Sequence, residues 1–193
     1  MPPFFRRAGL PYGHQIHHFK ADLQVSDLDR DYYASHALTI ARHPSETDQR
    51  MMLRIVAFAL FAGDDLQLCK GISDEDEPDL WRKNLRDEIE LWIDLGQPDE
   101  KRIRKACSRA RQVVLLTYGG SVAEIWWKKT EDKLGRFDNL TVLNAPQAEV
   151  EALEALVERT MQIQCTIDHG RLWLTAGERV VELEPVRWLQ PRG

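Results

Sequence analysis

Between Glu88 and Gly96 apolar and polar residues alternate without a break. Ile89, Leu91, Ile93 and Leu95 fall on one side, and Glu88, Glu90, Trp92, Asp94 and Gly96 on the other. A period of two marks a strand, because successive side chains leave the pleat in opposite directions. One face of this strand is expected to meet a core and the other to carry carboxylates. Gln97–Pro98–Asp99–Glu100 then opens a helix in which acids precede Lys101, Arg102, Arg104, Lys105, Arg109 and Arg111, an order that complements the helix dipole. Ile103, Ala106, Cys107 and Ala110 supply its apolar stripe. The near-continuous apolar run Val113–Tyr118 that follows suits a strand buried on both faces. Strand, helix, strand reads as a parallel crossover, which commits the chain to an α/β arrangement.

The rest of the sequence is read around that unit. Two β-compatible stretches, Ile16–Val25 and Ala37–Arg42, flank the polar segment Ser26–Tyr33 and suggest an antiparallel pair. Ser45 followed by Asp48 resembles a capping box, and a helix from there to about Ala62 is apolar nearly all round, which requires burial on most sides. Short strands are expected at Leu66–Lys70 and Asp79–Lys83. A second crossover follows through helix Ser121–Leu134 and strand Leu140–Leu143, then a helix Gln147–Glu158 and C-terminal strands Met161–Ile167, Leu172–Thr175 and Val180–Leu183. At 193 residues the chain is expected to be a single domain over 1–193, with residues 1–13, rich in Pro and Gly, as an arm.

Composition bounds the partners. A net charge of −5 argues against a protein that holds nucleic acid by a bulk positive field and leaves room only for a local basic patch. Cys69, Cys107 and Cys165 stand far apart without metal or disulfide spacing and read as buried thiols in a reducing compartment. No apolar run is long enough for a membrane helix and the N-terminus lacks a secretory apolar region, so the cytoplasm is the expected location, with no membrane partner.

A helix, acid-bearing strands, a second helix and a strand, in that order, resemble the core of the PD-(D/E)xK nucleases. Two neighbouring carboxylates can hold Mg²⁺ or Mn²⁺, which polarises a phosphoryl group and activates a water, while a lysine stabilises the developing charge. Pro78–Asp79 supplies the Pro-Asp element, about fifteen residues before Asp94, a spacing that fits adjacent strands. The motif lysine is missing: Gly96 stands two residues after Asp94, and Trp92 two after Glu90. Lys101 and Lys105 are the candidates for a displaced lysine, although both fall opposite the stripe centred on Ile103. The same acids also read as a solvated strand face, Glu46 as a helix N-terminal charge, and the basic run Lys101–Arg111 as a solvated helix face. His14, His17 and His18 have helical metal spacing in a segment that looks β, and Trp126–Trp127 read as core and rim packing before base stacking.

The runs Ala41–Arg42–His43–Pro44–Ser45–Glu46–Thr47, Arg50–Met51–Met52–Leu53–Arg54 and Asp76–Glu77–Pro78–Asp79–Leu80–Trp81 resemble the YaeQ family. Leu91–Trp92–Ile93–Asp94–Leu95–Gly96–Gln97–Pro98–Asp99–Glu100 and Ile125–Trp126–Trp127 extend the likeness, which covers about Ile16 to Gln190. The resemblance implies a bacterial protein with an α/β (α+β) fold: a nuclease-like mixed sheet flanked by helices, with additional N- and C-terminal antiparallel strands. By position it places the variant motif on Glu46, Asp79 and Asp94; it does not fix the lysine, for which Lys101 and Lys105 on the following helix stay the candidates. Two functions follow as expectations. One is a Mg²⁺- or Mn²⁺-dependent nuclease or phosphodiesterase acting on nucleic acid. The other is a non-catalytic nucleic-acid-binding or protein-interaction module that keeps the fold.

Overall fold

The computed structural model describes residues 16–71 and 76–191. In chain order the elements are β1 (His17–Asp27), β2 (Tyr32–Arg42), α1 (Asp48–Leu60), β3 (Leu66–Leu68), β4 (Leu80–Lys83), β5 (Ile89–Leu95), α2 (Glu100–Arg109) and β6 (Ala110–Thr117). They continue with α3 (Ser121–Leu134), β7 (Leu140–Asn144), α4 (Gln147–Ala152), a 3₁₀ turn (Leu153–Leu156), β8 (Thr160–Asp168), β9 (Arg171–Ala176), β10 (Arg179–Leu183) and β11 (Val186–Leu189). The strands form two mixed sheets, one ordered β10-β9-β8-β1-β2 and the other β11-β7-β6-β5-β4-β3. The expected crossover is present: β5, β6 and β7 lie parallel and are joined by α2 and α3.

Helix α1 lies between the sheets because its sequence leaves it no solvent face. Every residue at positions 51–59 is buried, and the apolar side chains there share a core with Ala21, Leu23 and Val25 of β1, Ile163 and Cys165 of β8, and Leu91 and Ile93 of β5. A second core fills the other side of the six-stranded sheet, where Trp92, Val113, Leu115, Leu140 and Val142 meet Ile103 and Ala106 of α2 and Leu134 of α3. The outer face of the five-stranded sheet has no such cover among the described residues. Along β1 exposed and buried residues alternate, and Lys20, Asp22 and Gln24 face outward.

Several elements differ from the sequence reading. The link between β1 and β2 is only four residues, because Asp27 closes the turn: its Oδ1 accepts the amides of Asp29 and Arg30 at 3.0 and 3.1 Å. The cap of α1 is Thr47, whose side chain accepts from Arg50 N; the Ser45 hydroxyl instead contacts His43. Helix α2 stops at Arg109, and Ala110 already belongs to β6. The expected helix Gln147–Glu158 divides into α4 and the 3₁₀ turn, and β11 adds an edge strand that the sequence did not signal. Cys165 is buried, but Cys69 and Cys107 are only partly so. The proposed arm 1–13 lies outside the described residues.

Candidate functional site

The second face of β5 is not solvated. Asp94 is 2% exposed and Trp92 1%, because α2 folds back across them. This overturns the reading of Asp94 as part of an open acidic face. Leu80 pairs with Ile93, so Asp79, one position before β4, stands beside Asp94. Asp79 Oδ2 accepts the amide of Leu95 at 2.8 Å, which ties the start of β4 to the end of β5. Glu46 is no exposed first-turn charge either. It precedes Thr47, is 3% exposed, and has its main chain held by His43 O and by Arg42 Nε.

All three acids are therefore buried and neighbouring, and each is met by arginine. Arg50 Nη1 donates to Glu46 Oε1 at 2.9 Å, and Arg50 Nη2 to Asp79 Oδ2 at 2.9 Å, so one guanidinium bridges two carboxylates. Arg54 Nη1 reaches Glu46 Oε2 at 3.3 Å and Ala41 O at 3.0 Å, and its Nη2 donates to Cys69 O at 2.6 Å. Arg102 grips Asp94 in a fork, Nε to Oδ2 at 2.9 Å and Nη2 to Oδ1 at 2.8 Å, and also donates to Glu77 O. Burial pushes the Asp79 carboxyl above the ordinary carboxylate range. Arg50 and the Leu95 amide oppose that rise, and the Asp94 charge adds to it. Burial likewise works against the charge on Arg50, but Asp79 and Glu46 outweigh it and hold the guanidinium above its usual value. Tyr118 closes the site beside Arg50, and its phenol is raised, chiefly by burial.

The donor set can be tested against a divalent ion. Mg²⁺ takes near-octahedral oxygen ligands at about 2.1 Å and usually one or two carboxylates. Both oxygens of Glu46 and both of Asp94 already accept from guanidinium groups. Asp79 Oδ1 alone lacks a directed hydrogen bond, and Arg50 Nη2 stands 2.8 Å from it. In this arrangement the residues do not fit a resident metal, since three guanidinium groups hold the positions where a cation would neutralise the acids. Among the described residues, the group whose His or carboxylate ligand atoms all come within 4.8 Å of one another is Asp29, Asp168 and His169, elsewhere in the molecule. There Asp29 is already engaged by the amides of His169 and Gly170.

The lysine candidates do not enter the site. Lys101 is exposed, and Lys105 pairs with Asp76 at the surface. The rest of the basic run is tied to acids or carbonyls: Arg104 to Glu100, Arg109 to Asp76 O, and Arg111 to Glu88. His17 and His18 are consecutive in β1 and so point to opposite faces, while His14 lies outside the described residues. Trp126 donates to Pro98 O, and Trp127 stacks on Trp188 at 5.5 Å, which is rim packing. The residues the sequence reading missed are Arg50, Arg54 and Arg102. Arg54 carried a usable signal, since a charge inside a helix apolar all round must be buried and therefore paired.

The model of the YaeQ protein family matches residues 14–185. A YaeQ protein from Salmonella typhi is 43% identical over 173 residues, covering 90% of this chain and 96% of the relative, and one from Escherichia coli K12 is 42% identical over the same length. The crystal structure of the YaeQ protein from Xanthomonas axonopodis pv. citri superposes with a TM-score of 0.89 at 48% identity, covering 92% of this chain and all of that one. That of the Pseudomonas syringae YaeQ protein gives 0.87 at 34% identity, over 92% and 98%. With the fold, the extent of the match and the bacterial relatives in agreement, the chain belongs to the YaeQ family.

Proposed function

We propose that this chain is a non-catalytic protein-interaction module whose nuclease-like acids serve as a structural lock. The observation that carries the reading is the saturation of Glu46 and Asp94 by arginine, with Arg50 also on Asp79. A phosphodiesterase of the metal-dependent kind needs those oxygens for the ion and a lysine beside them. Here the ion's place is taken by groups that cannot activate a water, and Lys105 is engaged elsewhere. The protein-binding form is favoured over nucleic acid because the net charge is −5 and α2 commits most of its basic side chains to acids or carbonyls within the molecule.

The test is calorimetric titration of Mg²⁺ and Mn²⁺ into the protein and into Asp94→Asn, with the unfolding free energy of both measured in urea. The expected result is no saturable metal heat in either protein and a less stable variant. Saturable binding in the parent that disappears in Asp94→Asn would overturn the reading. It would return Glu46, Asp79 and Asp94 to the role of ligands in a Mg²⁺- or Mn²⁺-dependent phosphodiesterase.

A further inference from the structure

The two sheets have four edges, and the chain protects three of them. Strand β3 is three residues long. Strand β11 is four residues long, contains Arg187, and breaks register at Arg187/Leu189. Strand β10 has five residues, among them Arg179 and Glu182. Short length, bulges and charges are the usual devices that keep a sheet edge from pairing with another chain. The fourth edge, β2, has none of them. Its eleven residues, YYASHALTIAR, contain no Pro, no Gly and no charge before Arg42, and its register with β1 is unbroken. Among the described residues no strand pairs with its other side.

We infer that β2 is a homodimerisation edge, along which two copies pair antiparallel into one ten-stranded sheet. The pairing falls on the first part of the strand. Further along, Arg54 occupies Ala41 O, and Thr39 and Ala41 line a cleft of about 300 Å³ against Gln67, Leu68 and Cys69. A two-fold axis at Ser35 sets Tyr33 opposite Ala37 on the outer face, and Tyr32 opposite Leu38 and Ala34 opposite His36 on the inner face. Large side chains then meet small or aliphatic ones, and no charge faces its own copy. Tyr33, 60% exposed in the single chain, gains cover in that arrangement. A second copy is favoured over a foreign strand because an uncharged edge offers no sign for a partner to recognise, whereas this steric pattern complements itself. The inference supplies a partner for the interaction role proposed above and rests on that reading only for its use. A metal titration that revived the phosphodiesterase would leave the edge unchanged.

The experiment is sedimentation equilibrium of the full chain from micromolar to hundreds of micromolar, beside Ser35→Lys and Tyr33→Lys. Both substituted positions face outward, and circular dichroism and melting temperature verify each fold. The parent is expected to approach twice the 22.4 kDa chain mass. Ser35→Lys, which sets a lysine against itself across the axis, is expected to weaken association roughly tenfold or more, and Tyr33→Lys serves if that variant misfolds. Amide exchange in residues 32–38 should slow as the parent is concentrated. A parent that stays monomeric, a dimer indifferent to both substitutions, or β2 amides already protected in the dilute monomer, as a covering segment of the same chain would make them, each overturns the inference.

Discussion

Arg54 is 1% exposed in the middle of an apolar helix, and its acceptors come from both sides of the molecule. Among the described residues Glu46 is the one carboxylate that bonds to it, so Glu46→Gln leaves a buried guanidinium without its ion-pair partner. That substitution is expected to cost about 3–5 kcal/mol of unfolding free energy, measured by urea titration at neutral pH. Asp94→Asn should cost less, because Arg102 is 28% exposed and water can take up part of the charge. A second residue-scale prediction concerns Asp29. The amides of Gly170 and His169 hold its carboxyl below the ordinary 3.8. The ionised form is thus the one the fold favours. Its contribution is full above the unfolded value and is lost as pH falls through the lower, folded midpoint. The amide shifts of His169 and Gly170, followed by NMR, should titrate together with a midpoint under 3.8; a midpoint at or above that value would show that the two amides do not hold the carboxylate.

At the scale of single elements, α1 and β5 carry the site, and their ends can be tested. Thr47 Oγ1 accepts Arg50 N at 3.2 Å, so Thr47→Ala should lower stability by about 1 kcal/mol in thermal or urea unfolding. Ser45→Ala should do little, which separates the observed cap from the one the sequence suggested. Gly96 ends β5 at φ +92°, and an added Cβ would meet nothing nearer than Tyr118 Cε1 at 3.8 Å. There is space for a methyl group but not the backbone freedom, and Gly96→Ala should cost about 1–2 kcal/mol from conformation alone. These elements also show what the sequence made legible. Helix α3 was read to its observed bounds, Ser121–Leu134, and β5 was evident from its alternation. Alternation reports which side chains share a face, but not what covers that face, so it leaves Asp94 open between a solvated acid and a buried one, and α2 decides it by lying over that face. The three acids were named from sequence; the arginines that hold them were not, because Arg50, Arg54 and Arg102 reach them from two different helices. Strand β11 gave no signal because its four residues alternate too briefly to stand out.

For the whole molecule, the arrangement depends on a contact that no local pattern announces. β1 pairs with β2 along the hairpin and, on its other side, runs parallel to β8, with Lys20 beside Thr160 and Asp27 beside Ile167. That pairing joins the first strand to the C-terminal strands and lays the five-stranded sheet over α1. It also explains why the N-terminal pair could be read as a hairpin while its place in a larger sheet could not. On the ribosome the same feature imposes an order of events. The first hairpin emerges early, with Ala21, Leu23 and Val25 destined for a core whose wall on their own side is completed only when β8 to β10 have been synthesised. Until then β1 has a partner on one side only, and β2 presents its long uncharged edge. Late, non-local pairing of this kind slows folding and leaves unfinished chains prone to association. Nascent chains halted before Thr160 should therefore recruit chaperones and resist folding, and release from that dependence should come abruptly once the eighth strand clears the exit tunnel.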